Sequence, residues 1–546
     1  MCDVSSIEKR AECVKDLPGR TGMPFERSFR CGTGKTAVVT DVVQFYKGRF
    51  TMTITGNIRT NWKRILFSFI TGLITVLVFS ACSPLYAFNP WDDSNCFFTV
   101  GRAIINGRVP YRDIYEQKGP LLYFIHALAA LVSSRSFLGV YFIQTVICAV
   151  THYCSIKIAS LYTQVTSRLM ILSVPLMMLL YSVNAYYYGD SAEEMLLPFF
   201  AVSLYIVLRS FKENSLPGKK ETVIIAIGSA WAFWIKYTLC GFFLGTVIIF
   251  LVNSIRKKQF KKLLELTLTF IITFLAAAIP ILIYFAANNA LGDLFTSYFY
   301  NNIFLYKNVN ETIPLTGVVP YAILVTAFKL RDNPYLIVML LISVIFFIAK
   351  KRYAELLAYM TLFFFTIVFI FNGSFIGFYY IFAVAVFTLP ALAGIEVFCS
   401  AFRINKAVII PLSAVLAAMA FFFSIATSNI SAKKADYPQF VFADYIKDYP
   451  GATLLEYDFM DQGFYTAAGI VPSEKFFCAL NIDSAYDEAR LSKETAISEH
   501  RVDFVVTKNH FYNLDGYEPV ASMNYTGKDF NNYNGTDAYY LYKRVP

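Results

Sequence analysis

Long apolar segments recur along most of this chain of 546 residues, and they constrain its fold more than any other feature. The first such segment, residues 65–88, contains no charged side chain and follows the basic residues Arg59, Lys63 and Arg64. A bilayer core about 30 Å thick is crossed by about 20 apolar residues in a helix. Because lipid offers no partner for free backbone groups, spanning segments of this kind must be helical. The sequence therefore predicts an all-α polytopic membrane domain.

Composition and charge agree with this class of protein. Hydrophobic residues make up 56% of the chain and charged residues only 16%, which is far more apolar than a soluble domain. The formal net charge is +10, but Lys and Arg gather in short clusters between apolar segments, as in cytoplasmic loops. The positive charge therefore indicates topology, and no nucleic-acid partner is predicted.

Hydropathy and charge bias together predict about eleven spans. They are residues 65–88, 137–160, 169–183, 194–208, 222–237, 239–254, 263–287, 335–349, 353–371, 375–397 and 407–425. Residues 121–132 are too short to cross comfortably and are expected to form a helix on the outer surface. Residues 315–330 are expected to be re-entrant or interfacial, because a full span there would place Lys350, Lys351 and Arg352 outside.

Both ends of the chain differ from this apolar middle. Residues 1–64 are polar and are predicted to be a disordered cytoplasmic tail, and translation could begin at Met1 or at Met52, which opens a segment typical of a membrane-protein start. Residues 65–428 form the predicted membrane domain. Residues 429–546 are polar again, with expected strands at 453–457, 502–507, 519–524 and 539–543 and helices around 440–447 and 485–499. They predict a small α/β domain.

An odd number of spans places this α/β domain on the same, extracytoplasmic side as the loop of residues 89–136. That loop packs acids and bases among aromatic residues directly after the first span. A wet, charged loop beside lipid suits the binding of a lipid-borne phosphate and the activation of a hydroxyl, although a plain solvated linker is the alternative.

Cysteine and histidine give little further information. Only Cys96 and Cys478 of the ten cysteines are expected on the outer face, and their spacing implies no disulfide framework. The four histidines are scattered without ligand spacing, so no metal site is predicted. No cofactor is certain, and the need for a divalent cation stays open.

The outer loop carries a family resemblance. It has an Asp soon after the first span, then Gly101-Arg102, and then E-x-K-G-P-L-L-Y-F beginning at Glu116. This pattern resembles the first outer loop of GT-C glycosyltransferases. It is closest to the bacterial group that includes the aminoarabinose transferases acting on lipid A and the protein O-mannosyltransferases. The similarity is clearest over residues 67–250.

The resemblance implies a multi-pass enzyme of the cell membrane whose active face is extracytoplasmic. Such an enzyme transfers a sugar from a polyprenyl-phosphate donor, with inversion, to a hydroxyl of a cell-envelope glycan, lipid or polymer. Membrane lipids, the donor and the envelope acceptor would be its partners. A transporter or flippase of lipid-linked sugars is the alternative, as is a non-enzymatic scaffold on the outer face.

The resemblance also assigns roles to residues. Asp93 lies at the position of the family's catalytic base. Asp92 competes for that role, because the family often has a second acid where this chain has Ser94. Lys118 and Lys236 match lysines that contact the lipid phosphate, although Lys118 could instead be a snorkelling anchor. Arg102 and Arg112 are further candidates for the same anion.

Three acids precede the span that begins near residue 194. Asp190, Glu193 and Glu194 are expected either to orient Lys236 or the acceptor, or simply to be favoured at a helix N-terminus by its positive dipole end.

Overall fold

The structure is a computed structural model that describes residues 61–305, 313–372, 377–482, 486–526 and 536–545. The predicted tail, residues 1–64, lies almost wholly outside the described residues. Residues 64–546 form one compact unit, so the helical part and the C-terminal sheet share one body.

Most of this unit is α-helical. The helices up to residue 287 are α1 (Asn61–Phe79), α2 (Asp92–Ile105), α3 (Pro120–Val132), α4 (Leu138–Ser160), α5 (Ser167–Leu180), α6 (Ala192–Lys212), α7 (Lys219–Ile235), α8 (Cys240–Arg256) and α9 (Phe260–Ala287). They are followed by α10 (Leu291–Leu294), α11 (Val318–Arg331), α12 (Pro334–Ala349), α13 (Tyr353–Ile370), α14 (Ala391–Ala401) and α15 (Lys406–Phe423). A π-helical segment, Phe295–Leu305, follows α10, and a buried 3-10 helix, Phe378–Thr388, precedes α14.

Within the described part of the chain, seven helices are long and apolar enough to cross a membrane, or nine if each of two bent pairs forms one span. The protein is therefore a multi-pass membrane protein, as predicted. Two of the eleven predicted spans fall on α5 and α7, which have only 14 and 17 residues. The expected re-entrant segment corresponds to α11, which meets α12 at a bend of 115°. A bend this sharp suits a chain that enters the bilayer and turns, or a broken span.

Some of the helices turn mainly apolar side chains outward. The most apolar stretch of α9 is only 17% buried, and that of α15 only 11%. In water such surfaces would be costly, whereas lipid solvates them well. These two helices therefore face the bilayer.

Local sequence explains the beginnings of the helices around the outer loop. Helix α6 starts after Ser191, whose hydroxyl accepts a hydrogen bond from the backbone N–H of Glu194 at 3.0 Å. Helix α3 starts with Pro120, which suits the first helical position because its missing N–H would be unpaired there. Helix α2 carries Asp92 and Asp93 in its first turn, where the helix dipole favours negative charge.

The C-terminal region contains the predicted small sheet. Its strands are β1 (Leu454–Glu456), β2 (Phe504–Lys508), β3 (Tyr517–Tyr525) and β4 (Asp537–Arg544), in the order β1-β2-β4-β3. Strands β1 and β2 are parallel, and the other pairs are antiparallel. The accompanying helices are α16 (Pro438–Ile446), α17 (Phe464–Ala468) and α18 (Asp487–Ser498). Each predicted strand overlaps an observed one, because alternating apolar residues identify a strand that is buried on one face.

The described residues of 438–545 form this small sheet and its helices, and together they are the sheet domain. The sheet domain is docked on the outer loop, residues 89–136. The backbone N–H of Tyr115 donates to the carbonyl of Lys475 at 2.9 Å, and the Arg108 guanidinium donates to the carbonyl of Ser473 at 3.2 Å. Gly463 has φ of +91° and lies so close to Asn95 that an added Cβ would be 2.5 Å from the side-chain oxygen. Only glycine combines this left-handed conformation with this close approach. The sheet domain therefore covers α2.

Candidate active site

A cavity of about 460 Å³ opens where the outer loop, the end of α7, the π-helical segment and the 3-10 helix meet. Its walls are mainly apolar and aromatic, but two lysine side chains reach it. The polar and aromatic residues that line it include Gln117, Lys118, Lys236, Tyr298, Asn302 and Tyr380. An apolar cavity with a few charged groups is the usual form of a binding site for a small molecule.

Asp93 lies beside this cavity in the first turn of α2. Its carboxylate accepts a hydrogen bond from the Tyr379 hydroxyl at 2.5 Å, and the Lys118 Nζ lies 3.7 Å from its other oxygen. The Asp93 side chain is only 6% exposed, and that of Lys118 only 8%. Ionised groups buried this deeply need partners of opposite charge, which each supplies for the other.

A second carboxylate positions the backbone of Lys118. Glu116 accepts a hydrogen bond from the backbone N–H of Lys118 at 2.9 Å and another from the Tyr123 hydroxyl. Its other oxygen lies 3.8 Å from Lys118 Nζ. The ammonium of Lys118 is therefore shared between two acids, and it also lies over the ring of Phe97, 5.5 Å from the centroid.

Lys236 reaches the same cavity from the C-terminal end of α7. Its Nζ is 2.6 Å from a carboxylate oxygen of Glu193 and 3.2 Å from the centre of the Tyr380 ring. The charges of Lys118 and Asp93 both act on this ammonium, which places the three groups in one electrostatic neighbourhood. Glu193 therefore contacts Lys236. The sequence offered this contact as one of two possible roles for Glu193, the other being a favourable position at a helix N-terminus.

Gly119 explains how two lysines so far apart in sequence come together. Its backbone N–H donates to the carbonyl of Ile235 at 3.0 Å, and an added Cβ would lie 2.0 Å from the carbonyl oxygen of Trp234. A proline at 119 could neither donate this hydrogen bond nor fit this approach. The close crossing of two backbones therefore fixes Lys118 next to Lys236.

The other two acids, Asp190 and Glu194, have different partners. Among the described residues, neither is recorded in contact with Lys236. Asp190 receives a hydrogen bond from Ser94 at 2.6 Å and lies 3.0 Å from the His126 ring nitrogen. Glu194 accepts from the Gln144 amide and from the backbone N–H of Asp190, both at 2.8 Å. Ser94 thus anchors Asp190, and these contacts tie α2, α3, α4 and α6 together.

The structure does not bring the two predicted arginines to the cavity. Arg112 is 40% exposed and is paired with the adjacent Asp113 at 2.8 Å. Arg102 is buried on the other side of α2, where it interacts with Asp461 of the sheet domain. Burial lowers the pKa of Arg102 to about 10, which still leaves it charged at neutral pH. Neither arginine is placed to contact an anion held by the two lysines.

Asp92 precedes Asp93 in the first turn of α2 and has a different set of contacts. It accepts a hydrogen bond from the backbone N–H of Asp93 at 2.8 Å, and it interacts with Lys118 and with Lys508 of the sheet domain. Burial, and next the negative charge of Asp93, raise the pKa of Asp92 to about 6. Asp93 is the carboxylate that lies 3.7 Å from the Lys118 ammonium, whereas Asp92 interacts both with Lys118 and with the sheet domain.

Sequence reasoning missed the partners of these residues. Tyr379 and Tyr380 lie in a segment that was predicted only as a span, where aromatic residues are common and carry no distinguishing signal. Glu116 stands in the quoted loop motif, so its presence there could have indicated a role. Among the described residues, no group of three or more His, Cys, Asp or Glu side chains is arranged to hold a metal ion.

No family model and no curated protein matches this chain. Among solved structures, the crystal structure of ArnT from Cupriavidus metallidurans bound to undecaprenyl phosphate is similar, with a TM-score of 0.51. The two sequences are 11% identical, and the match covers 89% of this chain and 98% of ArnT. The similarity to GT-C membrane glycosyltransferases, expected from the outer loop, is therefore confirmed at the level of the fold.

Proposed function

We propose that this protein is a membrane glycosyltransferase that transfers a sugar from a polyprenyl-phosphate donor to a hydroxyl of a cell-envelope acceptor on the outer face. One observation carries the proposal. Two ammonium groups, Lys118 of the outer loop and Lys236 at the end of α7, line one cavity, and the Asp93 carboxylate lies 3.7 Å from the Lys118 ammonium. The ArnT-like fold supports it, since the ArnT structure holds a polyprenyl phosphate.

The two lysines suit the phosphate of the donor. Ammonium groups in a mainly apolar cavity are costly to bury, and a bound phosphate would offset that cost by pairing with both. Lysine is a compact point charge on a flexible stem, so it can follow the phosphate as negative charge develops on it. Glu193 and Glu116 pair with Lys236 and Lys118 and position them before the donor arrives.

Asp93 suits the role of the base. The acceptor hydroxyl would attack the anomeric carbon while the bond from that carbon to the phosphate oxygen breaks, and its proton would pass to Asp93. The phosphate leaves with the bonding electrons and is stabilised by the two ammonium groups. Attack opposite to the leaving phosphate inverts the anomeric centre. The Tyr379 hydroxyl orients the carboxylate through its hydrogen bond.

The test is transfer of labelled sugar from synthetic polyprenyl-phosphate sugars to envelope fractions by the purified protein in vesicles. Asp93→Asn should lower the transfer rate by about 100-fold or more, the usual share of a general base, while donor binding is kept. Lys118→Ala and Lys236→Ala should weaken donor binding as well. The exposed Asp487, in α18, provides a matched control as Asp487→Asn.

Two outcomes would reject this function. Full transfer by a folded Asp93→Asn variant would remove the proposed base. Movement of the labelled lipid across the vesicle bilayer without any sugar transfer would instead favour a flippase.

A further inference from the structure

A buried histidine on α3 meets the backbone of its own helix on one side and a carboxylate from another segment on the other. This residue, His126, is fully buried, and so is its partner Asp190, in the loop before α6. One ring nitrogen, Nδ1, lies 2.8 Å from the carbonyl oxygen of Leu122. The other, Nε2, lies 3.0 and 3.1 Å from the two carboxylate oxygens of Asp190. Both nitrogens of the imidazole therefore face oxygen atoms.

These contacts determine how many protons the pair holds. The Leu122 carbonyl can only accept a hydrogen bond, so Nδ1 must carry a hydrogen. Nε2 and the carboxylate then need one further proton between them, because two lone pairs would otherwise face each other. The Asp190 carboxylate also accepts a hydrogen bond from the Ser94 hydroxyl at 2.6 Å. An imidazolium paired with an ionised Asp190 satisfies all of these contacts and leaves the buried pair without net charge.

Among the described residues, the Asp190 carboxylate is the charge that acts on His126. The Phe97 ring packs edge-on against the imidazole, with centroids 5.6 Å apart, and the Lys118 ammonium lies over that same ring, 5.5 Å from its centroid. Glu194 accepts a hydrogen bond from the backbone N–H of Asp190 at 2.8 Å. Burial alone lowers the pKa of His126, but the charge of Asp190 and the hydrogen bond to it outweigh burial and raise that pKa above its ordinary value.

Asp190 joins the two helices that carry charged groups of the candidate site. Ser94, which donates to it, directly follows Asp93 in the first turn of α2. In the chain, Asp190 comes just before the start of α6, where Glu193 pairs with Lys236. The backbone of Asp190 has φ of +75°, a left-handed conformation that a residue with a side chain keeps only where several contacts hold it. The position of Asp190 therefore affects both helices.

We propose that His126 is a positioning residue for sugar transfer: its imidazolium holds Asp190, and Asp190 fixes the two helices that carry the site. The proposal rests on the proposed function, because it assigns His126 a role in that reaction. His126 acts through Asp190 and does not touch the reacting groups. Without the imidazolium, the buried Asp190 carboxylate loses its counter-charge, and the loop that contains it must shift or take up a proton.

The first test detects the proton on the ring. The chain has only four histidines, so nitrogen-15 labelling of histidine in the full-length protein in lipid vesicles gives few ring signals. By solid-state NMR at about pH 7.5, above the ordinary histidine pKa of about 6.5, we expect one ring with both nitrogens protonated. That signal should be absent from His126→Gln and from Asp190→Asn. It should persist in the control His510→Gln, whose side chain is 71% exposed. A neutral ring at His126 would overturn the proposal.

The second test measures transfer by the same variants. His126→Gln should lower kcat by about 10- to 100-fold, because small displacements of positioned groups are costly to catalysis, and should change the affinity for polyprenyl phosphate much less. Asp190→Asn should cause a similar loss. The double variant should lose little more than either single variant, because the two residues act as one unit. His510→Gln should transfer sugar at the parent rate. Additive losses would overturn the shared role.

The two tests distinguish a failure of this proposal from a failure of the proposed function. A parent protein that transfers no sugar would reject the proposed function and, with it, the role of His126 in transfer. An active parent whose His126→Gln variant is equally fast would reject the role of His126 alone. The ring signal is measured without any donor, so it does not depend on activity.

Discussion

Asp93 is held by two partners of different kinds, a tyrosine hydroxyl and a lysine ammonium. The hydroxyl of Tyr379 donates to one oxygen, whereas Lys118 lies 3.7 Å from the other. A hydrogen bond to a charged group contributes about 1.5–3 kcal/mol. If the orientation it provides is used in the reaction, its removal should appear in the rate rather than in donor binding.

Tyr379→Phe is therefore expected to lower kcat by about 10- to 100-fold, with little change in the affinity for polyprenyl phosphate. Tyr380→Phe is the matched comparison, because Tyr380 contacts Lys236 through its ring face, which phenylalanine keeps. Tyr380→Phe should lower kcat much less than Tyr379→Phe does. Steady-state transfer and lipid-binding measurements on both variants check this, and equal losses in kcat would contradict the role of Tyr379.

The raised pKa of Asp92, about 6, gives a pH-dependent stability. An unfolded Asp has a pKa of about 3.9, so the folded protein binds this proton more tightly than the unfolded chain. The stability linked to protonated Asp92 is fully present below about pH 4 and is lost as the pH rises through about 6. Ionised Asp92 is thus a cost to the fold at neutral pH.

Asp92→Asn should consequently stabilise the protein relative to the parent more at about pH 7.5 than at about pH 4.5. Thermal unfolding in detergent at both pH values measures the difference. Transfer activity should largely survive this substitution, because Asp93 is the carboxylate beside the two lysines. Equal shifts at the two pH values would show that the proton on Asp92 is not linked to folding.

At the scale of elements, the site depends on one backbone crossing between the outer loop and the end of α7. Gly119 makes this crossing, and its neighbour Lys118 and the nearby Lys236 take their positions from it. Since the neighbouring atom is a backbone carbonyl, it cannot move aside as a flexible side chain could. A side chain at residue 119 must push the two segments apart.

Gly119→Ala should therefore reduce both donor affinity and transfer, by about 10-fold or more, since small displacements of positioned groups are costly to catalysis. Gly292→Ala is the control, because an added Cβ there meets no atom within 4 Å among the described residues. Binding of labelled polyprenyl phosphate to both variants gives the comparison. Unchanged affinity in Gly119→Ala would show that the crossing does not set the positions of the lysines.

At the scale of the whole molecule, the sheet domain covers the helix that carries Asp93, and both should lie outside the cell membrane. The basic segment that leads into the first turn of α9 should lie inside, as the distribution of Lys and Arg predicts. Lys447 and Lys261 are exposed residues on these two opposite parts. They provide a paired test of topology.

Lys447→Cys should react with a membrane-impermeant maleimide in intact cells, whereas Lys261→Cys should react only after permeabilisation. Maleimide labelling of the parent protein gives the background signal for both variants. Labelling of Lys261→Cys alone in intact cells would reverse the topology and would place the proposed site in the cytosol, where an envelope acceptor is absent.

The sequence by itself determined the membrane class, the position of most helices and the four strands, because each depends on a local pattern. Apolar length sets where a helix can enter lipid, and alternation sets which strands have a buried face. The loop motif also indicated Asp93 and Lys118, and a lysine at a span end that resembles a family position indicated Lys236. These three residues could be named in advance because a short motif or a span end marked each of them.

Only the tertiary structure decided which charges share the cavity. Arg102 and Arg112 looked as suitable as Lys118 in the sequence, yet one faces the sheet domain and the other faces solvent. The contacts of Tyr379 with Asp93 and of Glu193 with Lys236 join segments that are distant along the chain. Such contacts depend on how helices pack and which backbones can approach closely, and packing is a property of the whole molecule that no local pattern contains.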